Sequence, residues 1–169
     1  LKLADPAETN AKSIFSAIKS GTSEDAIKFG GINSGLLAYI EFVFNNTSDG
    51  ALVVGDGSSL NFFRDPSAWL HFVIAFDTSQ GTASNRIKFY QNGVLLQTES
   101  RIEGGSVIGD IPITQNYDLG FLTASKHQIG MNVESNNSEP LDAYLSEFNF
   151  VDGTAYDATT FAETNTDGI

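Results

Sequence analysis

The hydrophobic pattern is clearest in the middle of the chain. Leu36, Ala38, Ile40, Phe42 and Phe44 alternate with Leu37, Tyr39, Glu41 and Val43. A period of two puts each set on one face of a pleated strand. Asn45-Asn46-Thr47-Ser48-Asp49-Gly50 predicts a polar turn, and Ala51-Leu52-Val53-Val54 a return strand. A second turn at Gly55-Asp56-Gly57-Ser58 leads into Leu60-Asn61-Phe62-Phe63, and Arg64-Asp65-Pro66-Ser67 turns the chain again. The strongest strand signal runs from Trp69 to Asp77. Leu70, Phe72, Ile74 and Phe76 form one face, and Trp69, His71, Val73 and Ala75 the other. Apolar residues on both faces predict a strand with neighbours on both sides.

A hairpin follows. Ile87 and Phe89 point one way, and Arg86, Lys88 and Tyr90 the other. Asn92-Gly93 supplies two residues that tolerate positive φ, as a type I′ turn requires, and Val94-Leu95-Leu96-Gln97-Thr98 returns. Val107 to Ile113 reads as an edge segment because Pro112 cannot donate to a ladder. Lys126 to Met131 reads as a short strand. Ala143 to Val151 reads as the last one, with a bulge to reconcile the uneven spacing of Leu145, Phe148 and Phe150. Asp157 to Phe161 predicts one helical turn, with Phe161 plugging the core. Near the start the pattern is weak. Ile14-Phe15-Ser16-Ala17-Ile18 fits a short strand, or a helical turn opened by Asn10 and closed by Gly21.

Composition agrees with an all-β chain. The 169 residues include 13 Phe, 41% are hydrophobic, and the length suits one domain with a real core. The charge changes the picture of partners. With 21 Asp and Glu against 9 Lys and Arg, the net charge is −12. Such a surface repels phosphate backbones and anionic bilayers, so neither nucleic-acid binding nor membrane insertion is expected. No apolar run approaches the ~20 residues of a membrane-spanning helix. With no cysteine, disulfides and thiolate chemistry are excluded. The opening Leu1-Lys2-Leu3-Ala4-Asp5-Pro6 has neither an initiator Met nor the order of a signal peptide, and reads as the start of a piece of a longer protein.

Three stretches together resemble one family. Trp69-Leu70-His71-Phe72-Val73-Ile74-Ala75-Phe76-Asp77 resembles its W-x-H strand, which runs through apolar residues to Asp. Arg86-Ile87-Lys88-Phe89-Tyr90-Gln91-Asn92-Gly93 is similar to its hairpin. His127-Gln128-Ile129-Gly130, with Asp142 through Gly153, is similar to its closing strand. The family is the laminin-G-like, concanavalin A-like jelly roll, and the likeness is nearest to versions in bacteriophage virion proteins. Phe63 to Trp69, Asp77 to Arg86 and Asp152-Gly153-Thr154-Ala155-Tyr156-Asp157 bear that narrower likeness. The resemblance implies a two-sheet antiparallel β-sandwich over residues 13–165. Residues 1–12 would be an N-terminal extension, and residues 166–169 a tail cut from a longer chain. It lacks the further aromatic-rich strand with which such phage domains usually open.

The resemblance also frames the chemistry. Related sandwich glycosidases pair carboxylates as E-x-D-x-x-E, and no such string occurs; the nearest, Asp142 and Glu147, reads as turn polarity. His71, between apolar residues, reads as a packed histidine that donates to a neighbouring backbone, and His127 as a strand-end residue. Neither has a triad or zinc spacing. Gly55-Asp56-Gly57 and Glu103-Gly104-Gly105 open no helix and read as turns. No enzymatic activity is expected. Laminin-G-like relatives often hold calcium on rim loops, and Asp110, Asn116, Asp118 and Asp142 are the oxygen donors that would serve. Tyr39, Tyr90, Tyr117 and Tyr144 are the candidate outer-face platforms for a sugar. Two functions stay open, both in a virion. One is a module recognising a host-surface glycan or receptor. The other is a structural domain, decorating a capsid or connecting a fibre, that contacts neighbouring subunits.

Overall fold

A computed structural model of the chain describes residues 1–3, 12–21, 23–32, 37–44, 47–53, 67–96, 102–103, 106–107, 113–123, 126–133 and 139–161. The expected turns and strand between Val54 and Pro66 lie outside these residues, as do Asn10 and Asp110. The first strands are β1 (Lys2–Leu3), β2 (Lys12–Ser20), β3 (Ser23–Ile32), β4 (Leu37–Phe44) and β5 (Thr47–Val53). Next come β6 (Phe72–Phe76), β7 (Ile87–Gln91), β8 (Val94–Leu96), β9 (Ile102–Glu103) and β10 (Ser106–Val107). The last are β11 (His127–Ile129) and β12 (Ala143–Tyr144). Among the described residues the only helical turns are three short 3₁₀ turns, at Ala83–Asn85, Gly120–Leu122 and Ala158–Thr160. The chain is all-β.

One sheet has the order β11-β2-β3-β4-β5 and is antiparallel throughout. Of the two readings of Ile14–Ile18, the strand is the one that forms, and Gly21 at φ 58° turns it into β3. The register pairs Phe15 with Ile27 and Ile27 with Phe42, and it pairs Phe29 with Ile40. These apolar side chains therefore share one face, and Ala17 and Phe44 extend it. β5 begins at Thr47, inside the stretch expected to be a turn, because Phe44 already pairs with Thr47.

The second sheet has the order β6-β7-β8. Asn92 (φ 49°) and Gly93 (φ 80°) both take the left-handed conformation, so the β7–β8 turn is the expected type I′. The ladder at β6 is shorter than the Trp69–Asp77 pattern. Before it, however, the Leu1 nitrogen donates to the Leu70 carbonyl at 2.8 Å, and the Leu70 N–H donates back to the Leu1 carbonyl at 2.8 Å. Exchange of both bonds marks an antiparallel pair. The next residue, His71, turns its carbonyl the other way, accepting from Asn92 N at 2.8 Å. The 70–76 segment thus has β1 on one side and β7 on the other. β1 in turn pairs with β12.

The sheets pack face to face. Phe42 meets Phe76 edge-on at 5.7 Å and Phe89 at 6.4 Å, and Phe44 meets Phe76 at 6.3 Å. Ile87, Phe89 and Ile113 are buried with them, and Leu119 and Phe121 close one end of the core. Each fully buried Phe or Ile adds roughly 1.5–3 kcal/mol, so this layer is the main source of stability.

The C-terminal segment departs from expectation. Its ladder ends at Tyr144, and residues 145–151 form no strand. Glu147 takes φ 54°, a left-handed residue where a bulge in a ladder was expected. Phe148 and Phe150 both reach Phe15, at 5.4 and 5.9 Å, while staying largely exposed. The predicted turn at Asp157 to Phe161 does form, with Asp157 accepting from Thr159 N at 3.0 Å. Phe161 is not a core plug. It stays 39% exposed against Tyr156, and Ala158 is the residue buried there.

Candidate functional site

The most distinctive surface arises where three short segments meet. Leu1 lies opposite Leu70, so one step in opposite directions sets Lys2 opposite Trp69. On its other side Lys2 pairs with Tyr144. Trp69, Lys2 and Tyr144 therefore form one row across three adjacent strands. Cross-strand partners project to the same face, and strands lie about 4.8 Å apart. Leu1, Leu70 and Ala143, the alternating neighbours, pack against the core, so the row faces outward. Trp69 is 55% exposed and Tyr144 63%, with half-buried Lys2 between them. Two aromatic side chains flank one lysine in the register. Such a row can stack on the apolar face of a planar or ring-shaped ligand and donate hydrogen bonds from the lysine.

The four candidate tyrosines are not gathered into one platform. Tyr39 stands in β4 opposite Gly30, with its side chain outside the described set. Tyr90 is half-buried and pairs with Val73 and Leu95, on the same outward side of the sheet as Trp69 and His71. Tyr117 has a structural task. Its hydroxyl donates to Asp25 at 2.8 Å, its ring meets Phe44 at 5.7 Å, and Lys19 Nζ lies 3.5 Å above it. Burial, then the hydrogen bond to Asp25, pushes the Tyr117 phenol well above the ordinary tyrosine range. Among the candidate tyrosines whose side chains are described, Tyr144 alone is displayed as a platform would be.

The described calcium donors lie on two segments, Asn116 and Asp118 on one and Asp142 on the other. Asn116 (φ 59°) and Asp118 are exposed on the turn after Ile113, where Asn116 N donates to the Thr78 carbonyl at 2.7 Å. Asp142 is exposed just before β12, and Asp110 lies outside the described residues. Among the described residues no three His, Cys, Asp or Glu side chains come together as a metal group would need.

A second polar cluster is buried beside residues 131–133 and Glu139. Lys28 Nζ sits 3.0 Å from Glu139 Oε2 and 3.3 Å from Glu24 Oε1. Asn132 Nδ2 donates to the same two oxygens, at 2.9 and 3.0 Å. Ser16 ties residues 131–133 down, accepting from Val133 N at 2.9 Å and donating to the Met131 carbonyl at 2.9 Å. The arrangement covers the outer face of β2 and β3. With both carboxylates held on the one lysine and on Asn132, it reads as a fastening rather than as a reactive centre.

At His71 the hydrogen bonds described belong to the backbone, not to the ring. Its N–H donates to Asn92 Oδ1 at 2.9 Å, so the side chain of Asn92 braces the strand. His127 is an exposed strand-end residue. Its Nε2 lies 3.0 Å from the Phe121 carbonyl, and its ring stacks on Phe15 at 5.9 Å.

Lys2 was not among the sequence candidates. The alternation Leu1-Lys2-Leu3 was its only signal, and three residues are too few to define a strand. No family model, no curated protein and no solved structure matches this chain.

Proposed function

We propose that this chain is a non-catalytic binding domain of a bacteriophage virion protein, of the laminin-G-like, concanavalin A-like jelly-roll type. Its ligand is a host-surface glycan, taken on the Trp69–Lys2–Tyr144 row. The observation that supports this reading most is the row itself: two exposed aromatic side chains separated by one lysine, held in register by backbone pairing. Exposed aromatics are the usual platform for the apolar face of a sugar, and hydroxyls take hydrogen bonds from neighbouring polar groups. The phage setting rests on the resemblance of the Trp69–Asp77, Arg86–Gly93 and Asp142–Gly153 stretches. The test is a glycan array together with a host-cell binding assay, using folded wild-type protein and Trp69→Ala. Binding that Trp69→Ala abolishes is expected. Blank arrays and no cell binding by wild-type protein overturn the reading.

A second reading is a structural virion domain that decorates a capsid or connects a fibre. It is favoured by one observation. Leu145, Phe148, Phe150 and Val151 stay exposed along a segment with no strand pairing among the described residues. Clustered apolar exposure suits contact with another protein subunit. Under this reading Phe150→Ser prevents incorporation into particles and leaves glycan binding untouched.

A further inference from the structure

We infer that the glycan recognised on the Trp69–Lys2–Tyr144 row bears a single carboxylate, as a uronic or other sugar acid does. The inference rests on the glycan-binding reading above and adds the substrate class. With 21 acidic residues against 9 basic ones, a lysine in this chain has many carboxylates with which it could pair. Lys28, for example, meets both Glu24 and Glu139. Lys2 has a different environment. Its two cross-strand neighbours are Trp69 and Tyr144, and among the described residues it forms no ion pair. Directly opposed residues on adjacent strands have the strongest influence on each other. Here both of those places hold aromatic rings, leaving the ammonium available to a ligand.

Geometry selects where the acid lies. A pyranose stacked on either ring keeps its equatorial substituents in the plane of the sugar. A ring substituent directed towards the middle strand then points at the Lys2 ammonium. A carboxylate there forms a charge-assisted hydrogen bond, about twice as strong as one to a hydroxyl. The overall charge sets an upper limit on how acidic the ligand is. At −12, the chain repels polyanions from a distance, so densely sulfated or phosphorylated polymers are disfavoured. One carboxylate placed against one lysine gains the local contact and feels little of that repulsion.

The test uses pairs of saccharides that differ only by a carboxylate against its primary amide or alcohol. Binding to wild-type protein, Lys2→Gln, Lys2→Arg and Trp69→Ala is measured by calorimetry. Wild-type protein is expected to favour the acid by roughly tenfold, the scale of one hydrogen bond to a charged group. Lys2→Gln should erase that preference, so that the acid and neutral members of a pair bind alike, Lys2→Arg should keep it, and Trp69→Ala should weaken both members of each pair. Equal binding of acid and neutral sugars by wild-type protein, or a preference that survives Lys2→Gln, overturns the inference and leaves glycan binding standing. Loss of acid and neutral binding alike in Lys2→Gln also overturns it, provided that its melting temperature matches the wild type. Failure of every saccharide to bind wild-type protein removes the glycan reading itself.

Discussion

Lys28 and Glu139 meet at 3.0 Å across the top of the first sheet, one from the middle of β3 and the other from the segment just before β12. Burial works against charging Glu139. The hydrogen bonds from Asn132 and Lys28, the Lys28 charge and the Ser13 hydroxyl outweigh it, and the carboxyl is held below the ordinary glutamate range. A depressed carboxyl stabilises the fold above its unfolded pKa and loses that contribution as pH falls through the folded value. The melting temperature is therefore expected to hold down to about pH 4.5 and to fall below it. Glu139→Gln should flatten part of that acid limb. A limb unchanged in Glu139→Gln would assign the acid sensitivity elsewhere.

Removing the cation has a larger effect than neutralising one anion. Lys28→Met leaves Glu24 and Glu139 beside each other without a countercharge. Denaturant titration should show a loss of about 3 kcal/mol, the low end for a broken buried ion pair. Combining Lys28→Met with Glu24→Gln and Glu139→Gln should recover a substantial part of it.

On the core side of the same strand, Asp25 accepts from the Tyr117 hydroxyl at 2.8 Å and from Gly120 N at 2.6 Å. Tyr117→Phe should cost roughly 1.5–3 kcal/mol, the range for a hydrogen bond to a charged group. The raised phenol gives a second readout. The folded chain keeps this proton where unfolded tyrosine, at about pH 10, releases it, so stability falls as pH rises beyond that point. In an alkaline ultraviolet titration one of the five tyrosines should ionise only together with unfolding, and Tyr117→Phe should remove that step.

The β7–β8 turn separates a backbone requirement from a side-chain one. A Cβ on Gly93 would touch nothing within 4 Å, so Gly93→Ala is penalised only by its φ of 80°, by about 1–2 kcal/mol. Asn92→Gly relieves a positive φ and yet should also destabilise, because Asn92 Oδ1 accepts from His71 N at 2.9 Å. Asn92→Asp retains the acceptor and should be the milder change in thermal melts.

Strands whose faces differ in polarity were legible in the sequence. Ile40, Phe42 and Phe44 are buried as their alternation predicts, as are Ile87 and Phe89 ahead of Asn92-Gly93. β3 was not legible. Its inward Ile27 and Phe29 are interleaved with Glu24 and Lys28, charged residues whose burial depends on contacts with Asn132 and Glu139, far away in the chain. The closing strand was over-read. Its apolar residues suggested burial, but the left-handed Glu147 breaks the extended path and leaves Leu145 and Val151 exposed. Of the proposed row, Tyr144 was visible as an aromatic near a strand end. Lys2 was not, because its place depends on pairing between Leu1 and Leu70, a contact between distant parts of the chain that no local pattern encodes.

Trp69 is the sole tryptophan of the chain, so its fluorescence reports on the proposed platform without background from another indole. Titration with a carboxylate-bearing oligosaccharide should shift or quench the emission along a saturable curve. Tyr144→Ala should move that curve to higher ligand concentration at unchanged melting temperature. Saccharide binding, established by calorimetry, that leaves the Trp69 emission unaltered and is indifferent to Tyr144→Ala would contradict the Trp69–Lys2–Tyr144 row as the binding surface.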